Sequence, residues 1–266
     1  LYCWFGLSLL GAISVPINTA YKRDETAYIL NDAEAVGLVT HHTLVSVARE
    51  ASALASSVHH RLVVAEGPTS GPPVEGDEEE ADGWTSFADA LSKAQPLTSP
   101  APVSPDAVSM LVYTSGTTGN PKGCVHTHHS VMATTVYGAA WVNTQHSCIH
   151  LVSVPMFHVT GMQSCMNSTL YAGGTLVVMT RWDRKVAAAL IEKLKINTWR
   201  NISTMVVDML SDPDIDKYDI SSLTGIGGGG AAMPAAVAAK LKEKTGLTYM
   251  EGYGLSETIA ATHVNP

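Results

Sequence analysis

The stretch YTSGTTGNPKG (Tyr113–Gly123) decides how the chain is read. Before it stands AVSMLVYT (107–114), an apolar run with β-branched residues that predicts a strand. After it stands GCVHTH (123–128), which predicts the return strand of a hairpin. The stretch is therefore a loop between strands. Gly116 and Gly119 let a backbone approach a ligand closely. Ser115, Thr117 and Thr118 offer hydroxyl donors, and Lys122 adds a positive charge. Together these suit a triphosphate. The pattern is not a Walker loop, GxxxxGK followed by Ser or Thr. Pro121, which has no N–H, stands where the second glycine would be, and Gly123 stands where a magnesium-binding hydroxyl would be. A Walker loop would also run directly into a helix.

Working outward, the hydrophobic pattern alternates between strands and helices. Upstream, 23–34 predicts a helix, 36–40 a strand, 43–57 a helix and 61–65 a strand. Downstream, helices are predicted over 129–141, 159–173, 183–196 and 234–246, and strands over 148–154, 174–180 and 247–251. Apolar residues 186, 187, 190, 191 and 194 mark one face of the third of these helices, and Asp183 is its expected N-cap. Such alternation implies a parallel sheet with helical crossovers. Residues 66–106, rich in Gly, Pro and acid, read as a solvated loop broken by a short helix in TSFADALSKA.

Acidic residues outnumber basic ones, 24 to 16, and no basic run occurs, so a broad nucleic-acid surface is excluded. Cys3, Cys124, Cys148 and Cys165 form no CxxC pair and read as reduced thiols of an intracellular protein. The uncharged start, LYCWFGLSLLGAISVPI (1–17), lacks the basic flank of a signal peptide. Pro16 ends it short of the roughly 20 apolar residues of a membrane span. A buried helix is expected there. No transmembrane segment is predicted, and peripheral contact with a membrane is left open. The chain begins at Leu1 rather than Met, which suggests a piece of a longer protein.

YTSGTTGNPKG resembles the phosphate-binding signature of the adenylate-forming enzymes, which include acyl-CoA synthetases and nonribosomal adenylation domains. Two further segments match in the family's order. VPMFHVTGM (154–162) resembles the segment with an aromatic–His pair near the acyl site, and GYGLSET (252–258) resembles the Tyr-Gly-x-Thr-Glu segment at adenine and magnesium. The likeness runs from GAISVPINTAY (11–21) to the C-terminus. It implies an α/β fold of stacked, mainly parallel sheets with flanking helices, part of the family's N-terminal domain. Residues 1–65 would form a first α/β part, 66–106 a linker, and 107–266 the phosphate-loop and adenine part. The family's further N-terminal segment, ribose-binding Asp, hinge and C-terminal domain have no match in these 266 residues. The chain alone is expected to bind nucleotide weakly and turn over little.

The resemblance implies activation of a carboxylic acid, most simply a fatty acid, as acyl-AMP, followed by transfer to coenzyme A in the cytoplasm. ATP and Mg²⁺ are the implied cofactors. Thr114, Ser115, Gly116, Thr117, Thr118, Gly119 and Lys122 would hold phosphates. Gly230, Ala231, Ala232, Glu251, Gly252, Tyr253 and Gly254 would hold the adenosine part. Ser256 would reach phosphate, Glu257 would hold magnesium, and His158 would face the acyl carboxylate. The neighbouring glycines would leave room for an acyl chain, with Met156, Met162 and Met166 as pliable lining or ordinary core. Two other readings compete. GIGGGG (225–230) satisfies GxGxxG with an acid 21 residues on, as in a dinucleotide-dependent oxidoreductase, although DISSLTGI (219–226) is a weak strand to precede it. A non-catalytic nucleotide-binding relic is the other. HTHH (126–129) fits no standard zinc spacing. Oligomeric state is not legible.

Overall fold

The computed structural model describes residues 1–65, 83–114 and 119–265. Ser115, Gly116, Thr117 and Thr118, and the acidic run 75–82, lie outside the described residues. The chain divides into two compact units. The first comprises Leu1–Val103 with Tyr113–Gly123, and the second Ser104–Val112 with Cys124–Pro266.

In the first unit, β1 (Gly37–His41), β2 (His60–Val64) and the short β3 (Thr85–Ser86) form a parallel sheet. Helices α2 (Arg23–Asp32) and α3 (Val45–Ser52) bury Ala27, Leu30, Ala48 and Ala51 against Leu38, Val63 and Trp84. Helix α4 (Phe87–Lys93) fills the predicted TSFADALSKA segment. The apolar start differs from expectation. Helix α1 (Tyr2–Leu10) ends at Gly11, whose φ of 70° breaks the helix before Pro16 is reached, and it buries no residue. A helix apolar all round would be expected to bury its side chains, yet those of α1 stay half-buried or exposed.

In the second unit the strands follow the order β11-β10-β9-β8-β6-β7, parallel except for the antiparallel β10–β11 pair. The members are β6 (Ile149–Val152), β7 (Thr175–Val178), β8 (Thr198–Asn201), β9 (Gly225–Gly229), β10 (Met250–Leu255) and β11 (Ala260–Val264). Helices α7 (Arg184–Leu194), α8 (Ser203–Ser211) and α9 (Ala235–Thr245) close one face over Leu151, Ile191, Trp199, Val206, Ile226 and Leu241. On α7 the buried residues are Ala187, Ala188 and Ile191, while Val186 and Leu194 stay exposed, so the face is rotated from the predicted one. Strand β4 (Val108–Thr114) pairs with β5 (Lys122–Thr127), as the sequence predicts, and α5 (His128–Trp141) follows.

Three elements depart from the sequence reading. The glycine run 225–229 is a central strand rather than a turn, paired with β8 and β10. Glycine has weak strand propensity, but here it is required by close approach. A Cβ on Gly227 would overlap the Met250 carbonyl, and one on Gly228 the Asn201 carbonyl. The strand predicted at 247–251 begins instead at Met250 and runs on to Leu255. The helix predicted over 159–173 is a π-helix over Thr160–Asn167 continued by α6 (Ser168–Tyr171).

Candidate functional site

The first unit holds the described part of the phosphate loop. Thr114 ends β4, Gly119 stands at φ 88° with open space where a Cβ would be, and Lys122 opens β5. Lys122 is exposed and has no hydrogen-bond or ion-pair partner among the described residues. The loop's entry is anchored. Tyr113 donates its hydroxyl proton to Asp32 Oδ2 at 2.6 Å. Burial, then the Asp32 carboxylate, push that hydroxyl well above the usual tyrosine range, so it remains a donor.

The second unit holds the residues expected at adenine and magnesium. Gly230, at φ 88°, turns the chain out of β9, and Ala231 and Ala232 lie exposed beyond it. Glu251 accepts the Met233 N–H at 2.5 Å, so its carboxylate pins this turn to β10. Gly252 pairs with Gly229 on one side and Val264 on the other. The Tyr253 ring is 62% exposed, which leaves a face for stacking. Gly254 must be glycine, because a Cβ there would overlap Ala260. Between β10 and β11, Ser256 and Glu257 form the tip of a turn. The Thr258 N–H donates to the Leu255 carbonyl and the Ile259 N–H to the Ser256 carbonyl. Ile259 is buried at φ 60°, a strained conformation for a β-branched residue.

Glu257 is exposed and makes no hydrogen bond or ion pair among the described residues. One free carboxylate fits a Mg²⁺ ion that takes its other ligands from phosphate and water. Among the described residues no cluster of three or more His, Cys, Asp or Glu could hold a metal. The HTHH segment has another role. His126 is buried and donates from Nε2 to the Ser256 carbonyl at 2.8 Å, tying β5 to the turn beside Glu257. Burial lowers its pKa, against opposing pulls from the Ser256 carbonyl and Glu257. Strand alternation was the available signal for His126, since it shares a face with Cys124 rather than with Thr127.

His158 lies at the entrance to the π-helix. Its Nδ1 accepts the Thr160 N–H at 3.2 Å, so in the neutral ring the proton sits on Nε2. The ring keeps an exposed edge, yet the protein packed around it lowers its pKa. Gly161 is obligatory, because a Cβ would overlap the Pro155 and Val154 carbonyls. Met162 and Met166 are buried in the interior, while Met156 is half-buried against Val152, Val154 and Cys165. Gln163 holds the π-helix to α5. Its Nε2 donates to the Val131 carbonyl at 2.6 Å, to Thr135 Oγ1 at 2.6 Å and to Thr134 Oγ1 at 2.8 Å. The π-helix also packs against β11 and β6, so His158 and the GYGLSET hairpin share one support.

A cavity of about 350 Å³ opens on the same unit, lined by residues that include Cys148, Thr198, Arg200, Gly225, Gly227 and Met250. Arg200 has no sequence signal of its own, and TWRN was not read as a strand. Beside it, buried His150 donates from Nδ1 to Thr169 Oγ1 at 2.9 Å and accepts the Arg200 N–H on Nε2 at 3.3 Å. Burial, then the Arg200 charge, push His150 down to about 3, so its ring is neutral.

GIGGGG does not build a dinucleotide site. Five of its six residues are strand, and α9 begins at Ala235, after Pro234, so no helix opens on the glycines as pyrophosphate binding requires.

Residues 1–266 match the AMP-binding enzyme family. The chain is 30% identical, over 277 aligned positions, to the long-chain-fatty-acid–CoA ligase of Bacillus subtilis (strain 168), covering 98% of this chain and 50% of that protein. It is 28% identical over 264 positions to the long-chain-fatty-acid–CoA ligase FadD13 of Mycobacterium tuberculosis (strain ATCC 25618 / H37Rv), covering 96% and 47%. Among solved structures it resembles the anthranilate CoA ligase AuaEII in complex with anthranoyl-AMP, with a TM-score of 0.86 at 26% identity over 98% of this chain and 49% of that one. It also resembles the inhibitor-bound N-terminal domain of FACL13 from Mycobacterium tuberculosis, with a TM-score of 0.83 at 25% identity, covering 98% and 61%. The chain belongs to the AMP-binding enzymes, and its α/β architecture is that of their N-terminal domains. It spans about half the length of the curated relatives it matches.

Proposed function

We propose that the complete natural protein is an ATP-dependent acid–thiol ligase. It activates a carboxylic acid of the fatty-acid class as acyl-AMP and passes the acyl group to coenzyme A. The observation that carries this reading is the β10–β11 hairpin, where Glu251 pins the preceding turn, Tyr253 is exposed and Glu257 stands exposed at the tip, all within seven residues. The first step is displacement at the α-phosphate. The carboxylate oxygen bonds to phosphorus and pyrophosphate leaves, so the protein's part is positioning and charge neutralisation.

Thr114, Ser115, Gly116, Thr117, Thr118 and Gly119 would cradle the leaving phosphates, with Lys122 as their counter-charge. Gly230, Ala231, Ala232, Gly252 and Gly254 would shape the adenosine pocket, and Tyr253 would stack on the base. Ser256 would donate to phosphate and Glu257 would hold Mg²⁺, which neutralises phosphate charge when bound. His158, with its proton on Nε2, would donate to the acid's carboxylate. Residues 1–65, 66–106 and 107–266 are taken as the first α/β part, linker, and phosphate-loop and adenine part of one partial AMP-binding domain. Among the described residues no helix is long and apolar enough to cross a membrane. A cytoplasmic ligase is the simplest reading.

Acid-dependent ATP–pyrophosphate exchange with a fatty-acid series tests the function, and a complete natural protein that exchanges with no acid would overturn it. Lys122→Ala should weaken triphosphate binding at least about tenfold more than AMP binding. Equal losses in the two titrations would remove Lys122 from the phosphate role.

A further inference from the structure

The two faces of the second unit's sheet differ in kind. One carries Leu151, Trp199 and Ile226 into the core under α7, α8 and α9. The other carries His150, Thr198 and Arg200, since side chains alternate along each strand. On that face β9 presents only Gly225, Gly227 and Gly229. Glycine at alternate positions gives β9 no side chain on that face, and the 350 Å³ cavity, at the starting ends of β6, β8 and β9, is lined by Gly225 and Gly227.

Arg200 borders these glycines, in register with Gly227. Its guanidinium has no hydrogen-bond or ion-pair partner among the described residues. The ionisable groups that bear on it are the Cys165 and Cys148 thiols and Tyr249, with no carboxylate among them. Burial pushes the Cys165 thiol up to about 12, so it supplies no counter-charge. His150 is neutral and uses both ring nitrogens elsewhere. A guanidinium cannot shed its charge as a lysine can. Arg200 is half-buried at the cavity wall, and holding a guanidinium partly out of water without a partner is unfavourable; a carboxylate that matched its planar fork would offset that cost.

We propose that this cavity is a carboxylate subsite, and that the acid activated by the complete protein carries a second carboxylate at its far end, received by Arg200. The inference rests on the acid-activating reading above. Past the cavity lining, which reaches Gly227, the glycines of β9 continue through Gly229 to the Gly230–Ala232 turn. At about 3.3 Å per residue, Gly227 and Gly230 are ~10 Å apart along the chain. That span suits an extended α,ω-dicarboxylic acid of medium length.

The test compares adipate, suberate and sebacate with hexanoate, octanoate and decanoate, using the complete natural protein. Two readouts are taken: acid-dependent ATP–pyrophosphate exchange, and the thermal shift given by each acid alone. At one chain length or more, the diacid should exceed its matched monoacid at least about tenfold in kcat/KM. Arg200→Met should reverse that order with the KM for ATP retained. Its melting temperature should hold or rise, because an unpaired charge has been removed. Arg200→Lys, which keeps the charge without the fork, should fall between and covers the case in which the Met variant does not fold. Monoacids preferred at every length, or a diacid preference that survives Arg200→Met, would overturn the subsite while leaving the ligase reading intact. If no acid supports exchange, the ligase reading fails. The subsite then stands or falls on whether diacids stabilise the wild-type protein more than the Arg200→Met variant.

Discussion

Gly161 shows how a single atom fixes the His158 segment. Any side chain there would meet the Pro155 and Val154 carbonyls, so the π-helix can start directly after His158 only with glycine. Gly161→Ala should cost about 1–3 kcal/mol of stability, as overpacking does, measured by denaturant unfolding. A variant as stable as wild type would show that the backbone relaxes freely there. Asp183 is the opposite case, a residue whose role was legible in advance. Its Oδ1 accepts the Lys185 and Val186 N–H groups at 2.9 and 3.0 Å, capping α7 as predicted. Asp183→Ala should lose ~1 kcal/mol, and Asp183→Asn much less. Capping is legible because its partners lie two and three residues away. The constraint on Gly161 comes from backbone folded onto it by tertiary structure.

Among elements, the π-helix is the least expected. Its hydrophobic pattern reads as an ordinary helix, yet Gln163, fully buried, shares its two N–H groups among three acceptors within reach and accepts from Asn167 Nδ2 at 2.7 Å. Satisfying a buried amide so completely is what holds the widened turn against α5. Gln163→Leu leaves buried polar groups unpaired and should cost about 1–3 kcal/mol, with hydrogen exchange accelerated across Thr160–Asn167. Unchanged exchange would place the widening in the backbone alone. The β9 strand was misread for a related reason. Propensity assigns five residues containing four glycines to a turn, whereas packing between β8 and β10 admits nothing larger at Gly227 and Gly228.

For the whole molecule, pH is the informative variable. His150 is held near 3 in the folded chain against about 6.5 when free, so unfolding takes up a proton at any pH between these values. Its contribution to stability is therefore complete above about pH 6.5 and is lost as pH falls toward 3. The full difference is on the order of 5 kcal/mol. His126 and His158 are shifted in the same direction, also by burial. The urea midpoint should fall steadily from pH 7 to pH 4, and His150→Gln should flatten that slope. An unchanged slope in the variant would assign the pH dependence to other groups. Surface ion pairs such as Lys195–Asp219 at 2.9 Å are solvent-exposed and should add little.

The sequence alone determined the alternation of strands and helices, the β4–loop–β5 unit, the Asp183 cap of α7, and the three motifs that place the chain among the AMP-binding enzymes. Each is encoded within a dozen or so neighbouring residues, where periodicity, capping and motif chemistry act. Tertiary structure alone decided that the glycine run is a strand and that His126 supports the Ser256 carbonyl. It also decided that Glu251 spends an oxygen on the Met233 N–H, and that Arg200 lines a cavity with no carboxylate partner among the described residues. The hydrogen bonds among these features join groups 18 to 130 residues apart in sequence. No local pattern reports a distant carbonyl or a missing carboxylate, and only the packed sheet brings them within reach.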